Sequence, residues 1–209
     1  MKIAPNTVTG FCVALPLALG AVALARPTAP TDATDATDAA VYAIDSTHSS
    51  VLFKVSHFQS SFFYGRFNEV SGEFTLDTED PAASRVRMVV NADSVDAKVE
   101  DLSKHLRSPD FLDAVQFPQI VFESKSVKAG EDTDTLEVIG ELTLRGVTKP
   151  LTVTVEKVGE GPGMRGARLM GWHATFTIDR AQFGVDYGVK RGNVGREVEL
   201  IVSIEGHAR

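Results

Sequence analysis

Met170-Gly171-Trp172-His173-Ala174-Thr175-Phe176-Thr177-Ile178 is the stretch whose reading decides the fold. Its apolar residues at 170, 172, 174, 176 and 178 share one parity, while His173, Thr175 and Thr177 take the other. Successive side chains of an extended strand point to opposite faces, so the run presents one dry face and one wet face. On a helix the same residues would scatter around the circumference. The stretch is therefore a half-buried strand.

The same texture spreads in both directions. Towards the end of the chain, Val198, Leu200, Val202 and Ile204 alternate with Glu197, Glu199 and Ser203. Upstream, Val153 and Val155 alternate with Thr152 and Thr154, and Leu136, Val138, Leu142 and Leu144 share a parity opposite to Glu137, Glu141 and Thr143. Val86, Met88 and Val90 stand against Arg85, Arg87 and Asn91, and Val51, Phe53 and Val55 against Leu52, Lys54 and Ser56. Shorter runs at 41–45, 67–76 and 120–127 complete about eight strands, enough for a closed barrel that leaves no exposed sheet edge. The predicted fold is all-β, an eight-stranded antiparallel barrel. Arg145-Gly146-Val147-Thr148 reads as a turn, and the glycine-rich 159–166 as a hairpin connection. Helical spacing occurs only near 98–114, where Val99, Leu102 and Leu106 recur at three and four. Ser108-Pro109-Asp110 then offers an N-cap and an N1 proline before Phe111 and Leu112. One or two short helices are expected there, placed as a lid or plug at one end of the barrel or as a connecting loop.

Alternation alone leaves open whether the dry face points inward or into a membrane. The wet faces carry many charges, and the chain ends Glu205-Gly206-His207-Ala208-Arg209 with no terminal aromatic residue. These features favour a soluble barrel with an apolar interior over an outer-membrane barrel with aromatic girdles.

The first residues read as an export signal. Lys2 precedes an apolar stretch at 8–24 that ends in the small-x-small pattern Ala23-Leu24-Ala25, predicting cleavage after Ala25 and a periplasmic or secreted protein with no stable membrane insertion. Pro16 interrupts the stretch and no stop-transfer charges follow it. Residues 26–40 repeat Thr-Asp-Ala and hold too little apolar surface to offset ordering, which predicts a flexible linker before a domain at 41–209. Cys12 is the only cysteine and falls within the leader, so the mature chain is expected to have neither disulfide nor thiolate metal site. The net charge of −7, which becomes −8 when Lys2 leaves, argues against nucleic acid as a partner.

Several segments resemble one family. Tyr42-Ala43-Ile44-Asp45 with Thr47-His48-Ser49 is similar to the opening of the YceI-like family. More specific are His105-Leu106-Arg107-Ser108-Pro109-Asp110-Phe111-Leu112-Asp113 and Phe117-Pro118-Gln119-Ile120-Val121-Phe122-Glu123-Ser124, which resemble the family's central helix-to-strand signature. The segments at 140–150 and 178–185 match in the same order, so the likeness spans the domain. Leu102 and Ser103 depart from it, standing where many members carry an Arg-Asp pair. The resemblance implies a lipocalin-like barrel, usually periplasmic or secreted, whose interior binds a polyisoprenoid or another long-chain amphiphile.

Phe53, Val55, Met88, Leu142, Leu144, Trp172 and Phe176, large and apolar on alternating faces, are the candidate ligand-binding residues along the strands. Leu102, Leu106 and Phe111 are the candidates on the lid. Head-group contacts are expected at the rim, where His105 and Arg107 stand beside Lys104 and Asp110. A tail in such a tube gains roughly 0.8 kcal/mol per buried methylene, so the ligand's chain length stays open. The chain has no Gly-x-Ser-x-Gly elbow, and its histidines show no His-x-His or His-Glu-x-x-His spacing. No enzyme activity, cofactor or metal is expected. The favoured function is an extracytoplasmic carrier or scavenger of an isoprenoid or other long-chain lipid, with a homodimer left open. The alternative is an envelope stress or protein-interaction module with a packed barrel and no ligand, and a hydrolase built on His105 with Asp110 or Asp113 is the third reading.

Overall fold

The computed structural model describes residues 40–209. The expected leader at 1–25 and, except for Ala40, the linker at 26–40 lie outside the described residues.

Period-two alternation appears as eleven strands among the described residues: β1 (Tyr42–Ile44), β2 (Ser50–His57), β3 (Ser61–Phe67), β4 (Val70–Thr75), β5 (Arg85–Asn91), β6 (Val95–Asp96), β7 (Gln119–Ala129), β8 (Thr135–Leu144), β9 (Val147–Pro162), β10 (Arg168–Asp179) and β11 (Val194–Ala208). They make the predicted eight-stranded antiparallel barrel because three strands are each broken once. β1 and β2 both pair with β11, Tyr42 opposite Ala208 and Val51 opposite Val202, and are one strand interrupted at 45–49. β4 pairs with β1 and β5 while β3 pairs with β2 and β6, so β3–β4 and β5–β6 are likewise one strand each. Pairing then runs from β5 through β7, β8, β9 and β10 to β11, and closes where β11 meets β1.

Side-chain parity sets the wall. Arg87 lies opposite Glu123 and Lys54 forms an ion pair with Glu199 at 3.1 Å, so cross-strand charge pairs occupy the outer surface. The apolar residues of the opposite parity face inward, the reverse of a barrel that meets lipid with its outer wall.

Each end of the barrel has its own packed cluster. At the end carrying both chain termini of the domain, Trp172, Tyr42, Phe74, Leu136 and Val138 are the largest fully buried side chains. Tyr42 stacks on Phe74 with ring centroids 5.4 Å apart, a fit that needs glycine at 206: a Cβ there would lie 2.6 Å from the Phe74 ring. At the other end Phe111, Leu142, Leu144, Ile178, Phe183 and Val185 form the second cluster. The Arg145-Gly146 turn joins β8 to β9 here with positive φ at both residues, the two-residue hairpin that matches strand twist.

Of the one or two short helices expected near 98–114, one α-helix forms. It is α1 (Glu100–Arg107), with Val99 as its exposed N-cap. Ser108 ends it, donating from its backbone N–H and its hydroxyl to the His105 carbonyl. Pro109 biases Ser108 towards extended backbone, ψ being 170°. The N–H groups of Leu112 and Ala114 turn back to the carbonyls of Leu106 and Arg107, so residues 108–114 cap the first helix instead of starting another.

Candidate functional site

Between the two clusters the barrel is hollow. Its cavity is about 510 Å³, within the range of ligand pockets, roughly 300–1,000 Å³. The packed-centre alternative required this volume to be filled by side chains.

All the strands except β1 and β4 place inward-parity residues on the cavity. Phe53 and Val55 come from β2, Met88 from β5, Leu142 and Leu144 from β8, and Trp172 and Phe176 from β10. α1 lies across the open end and contributes Leu102, His105 and Leu106, followed by Phe111 from the turn after it. Arg107 does not join them. It lies on the opposite side of α1, where its guanidinium pairs with Glu100 at 2.6 Å and approaches Asp93 at 3.7 Å. The helical period explains this: Leu102 and Leu106 are four apart on the inner face, and the residue after Leu106 is turned away by about 100°. At position 103, the Ser103 hydroxyl accepts from Ala97 N at 2.9 Å and donates to Val99 O at 3.1 Å, fastening the start of α1.

Polar groups reach the cavity mainly at the α1 end, which we call the mouth. His105 packs edge-on against Phe111 and Tyr187, each with ring centroids 5.0 Å away, and its Nε2 lies 3.0 Å from the Asp110 carboxylate. Arg180 is 4% exposed and donates to the carbonyls of Val185, Tyr187, Val194 and Gly195, drawing the connection between β10 and β11 around itself. Burial lowers its pKa from the ordinary arginine value, with Asp186 and Asp179 acting in the opposite sense. Arg145 donates to the carbonyls of Pro109 and Gly184 and so links the turn after α1 to that same connection.

Parity also accounts for lining residues beyond the candidates named from the sequence. Ile120 and Phe122 continue the inward set of β7, and Arg180 continues the series Trp172, Ala174, Phe176, Ile178. His57, Tyr187 and Asn193 stand at strand ends or in the connection, where alternation is silent. The deep wall is apolar and the mouth is mixed, an arrangement suited to a molecule with a greasy tail and a polar end.

The profile of the YceI-like domain matches residues 42–206. The chain is 40% identical over 169 residues to Protein YceI of Escherichia coli O17:K52:H18, covering 80% of this chain and 86% of that one. It is 39% identical over 169 residues to a UPF0312 protein of Pseudomonas aeruginosa, with the same coverage. Among solved structures, BcnA of Burkholderia cenocepacia superposes with a TM-score of 0.70 at 21% identity, covering 78% of this chain and 98% of that one. A polyisoprenoid binding domain of Saccharophagus degradans gives 0.61 at 13% identity, covering 80% and 98%. At those identities the two structures speak to the fold.

Proposed function

The chain belongs to the YceI-like family, and from that premise we propose that it holds the tail of an isoprenoid or related long-chain amphiphile in its barrel as an extracytoplasmic lipid carrier or scavenger. The observation that carries this reading is the polarity of one tube: apolar along the strands, closed by Trp172 and its neighbours at one end, and furnished with His105, Tyr187 and Arg180 at the other. A tail of about 15 buried carbons gains roughly 12 kcal/mol gross at 0.8 kcal/mol per methylene. Immobilising two molecules and ordering the tail take back a large part of it.

The ligand-binding residues in this proposal are Phe53, Val55, Met88, Leu142, Leu144, Trp172 and Phe176 along the tail, with Leu102, Leu106 and Phe111 over it and His105 near the head group. The polyisoprenoid-binding name of the Saccharophagus degradans domain supports the ligand class. The small-x-small pattern ending at Ala25 supports export. Native mass spectrometry of gently purified protein is expected to find a retained lipid. Polyprenyl alcohols added to delipidated protein should raise its melting temperature. Protein that is always empty and shows no shift with any long-chain amphiphile refutes the proposal.

A further inference from the structure

Closing the barrel brings together side chains from the two ends of the domain, at the end opposite the mouth. Asp45 lies just past β1, on the outward parity that follows Tyr42 in, Ala43 out and Ile44 in. Glu205 and His207, two apart on β11, occupy the outer surface because Ile204 and Gly206 take the inner one. His48 stands in the break between β1 and β2. One oxygen of Asp45, Oδ2, lies 2.8 Å from His48 Nδ1 and 2.7 Å from His207 Nε2, and Glu205 Oε1 is 3.7 Å from the same His48 nitrogen. Asp45, His48 and Glu205 each offer a ligand atom within 4.8 Å of the others.

The backbone beneath these groups is fixed. Asp45 N donates to Glu205 O at 2.8 Å, Ser49 N to Asp45 O at 3.0 Å, and Glu205 N to the Ser49 hydroxyl at 3.1 Å. Asp45 Oδ1 accepts from Thr47 N at 2.7 Å, leaving Oδ2 facing the imidazoles.

We propose that Asp45, His48 and Glu205 bind a divalent first-row transition-metal ion, with His207 orienting the Asp45 carboxylate from the second shell. The ligand set is one borderline nitrogen and two hard oxygens, which suits zinc, manganese or iron(II) rather than the all-oxygen coordination of calcium. Two carboxylates neutralise the ion. Around a tetrahedral ion with bonds of about 2.1 Å, ligand atoms sit about 3.4 Å apart. The 2.8 Å separation of Asp45 and His48 must open slightly and the 3.7 Å separation of His48 and Glu205 must close slightly. The His48 side chain is 61% exposed and free to make that adjustment, and the exposure leaves a coordination position for water. Such an ion would clamp the first strand to the last at the seam of the barrel.

Zinc chloride titrated into EDTA-stripped protein by calorimetry should show one saturable site. In the NMR spectrum the His48 imidazole resonances should shift with zinc, while those of His57, His105 and His173 stay in place. His48→Ala and Glu205→Gln should each weaken zinc binding about tenfold or more, since even loss of a second-shell partner costs about 10–100-fold. Absence of saturable binding, or binding that survives His48→Ala in a variant with wild-type circular dichroism, overturns the proposal. If the variants do not fold, the wild-type resonances decide: shifts at the mouth histidine His105 with none at His48 also overturn it.

Discussion

Replacing Ala174 by phenylalanine separates a hollow barrel from a solid one. Ala174 sits on the inward parity of β10 between Trp172 and Phe176, is 7% exposed and lines the cavity. A phenyl ring there takes the space of about five tail methylenes, removing about 4 kcal/mol of binding at 0.8 kcal/mol each, or about a thousandfold in affinity. A tail that bends around the ring recovers part of this, so a loss of at least about a hundredfold is expected. Folding stability should respond differently. The ring enters a cavity of about 510 Å³, so the urea midpoint of delipidated protein should hold or rise. In a filled core the same change would overpack and cost about 1–3 kcal/mol. The assay pairs displacement of a fluorescent long-chain probe with urea unfolding of the same preparations. A variant that is clearly destabilised yet binds like wild type would show that the space around residue 174 is not where the tail lies.

Leu136→Ala is the complementary change: Leu136 is fully buried in the cluster at the closed end and does not line the cavity, so its loss should cost about 2–5 kcal/mol in urea unfolding while the probe affinity stays near wild type. Arg180→Met keeps an apolar stem but strips the donors from four carbonyls. Hydrogen exchange should show faster exchange over residues 184–195, with about 3 kcal/mol or more lost in stability. Glu160 tests the acid limb. Its carboxyl is held below the ordinary glutamate value chiefly by the Lys157 hydrogen bond, so its contribution is fully present above the unfolded pKa, near 4.5, and is lost as pH falls through the lowered folded value. The stability gap between wild type and Glu160→Gln, under about 1 kcal/mol for a surface pair, should therefore shrink between neutral pH and pH 3, and a gap that widens there contradicts the assignment.

The strands were legible because alternation is a local property. The series at 170–178, 136–144 and 198–204 each name their inner residues without reference to any other part of the chain, and the cavity is lined by those parities. Arg180 was readable by the same rule, two residues beyond Ile178, but a charged side chain on an inward parity looks like a strand end until four carbonyls are seen around it. Whether one helix or two would form there was not readable, for a different reason. Ser108-Pro109-Asp110 has the composition of a helix start, and the competing partners, the free carbonyls at the end of α1, are visible only when the turn folds back on them.

Taken alone, the order of residues determined which side of each strand is dry, that the elements are strands with one helical interruption, and the family to which they belong. It could not determine that the interior is hollow, because that depends on the summed side-chain volume of strands far apart in the chain measured against the barrel they enclose. Nor could it assemble Asp45 and His48 with Glu205 and His207. Those residues meet only because β11 returns to pair with β1, and that register comes from closing the whole sheet rather than from any short segment.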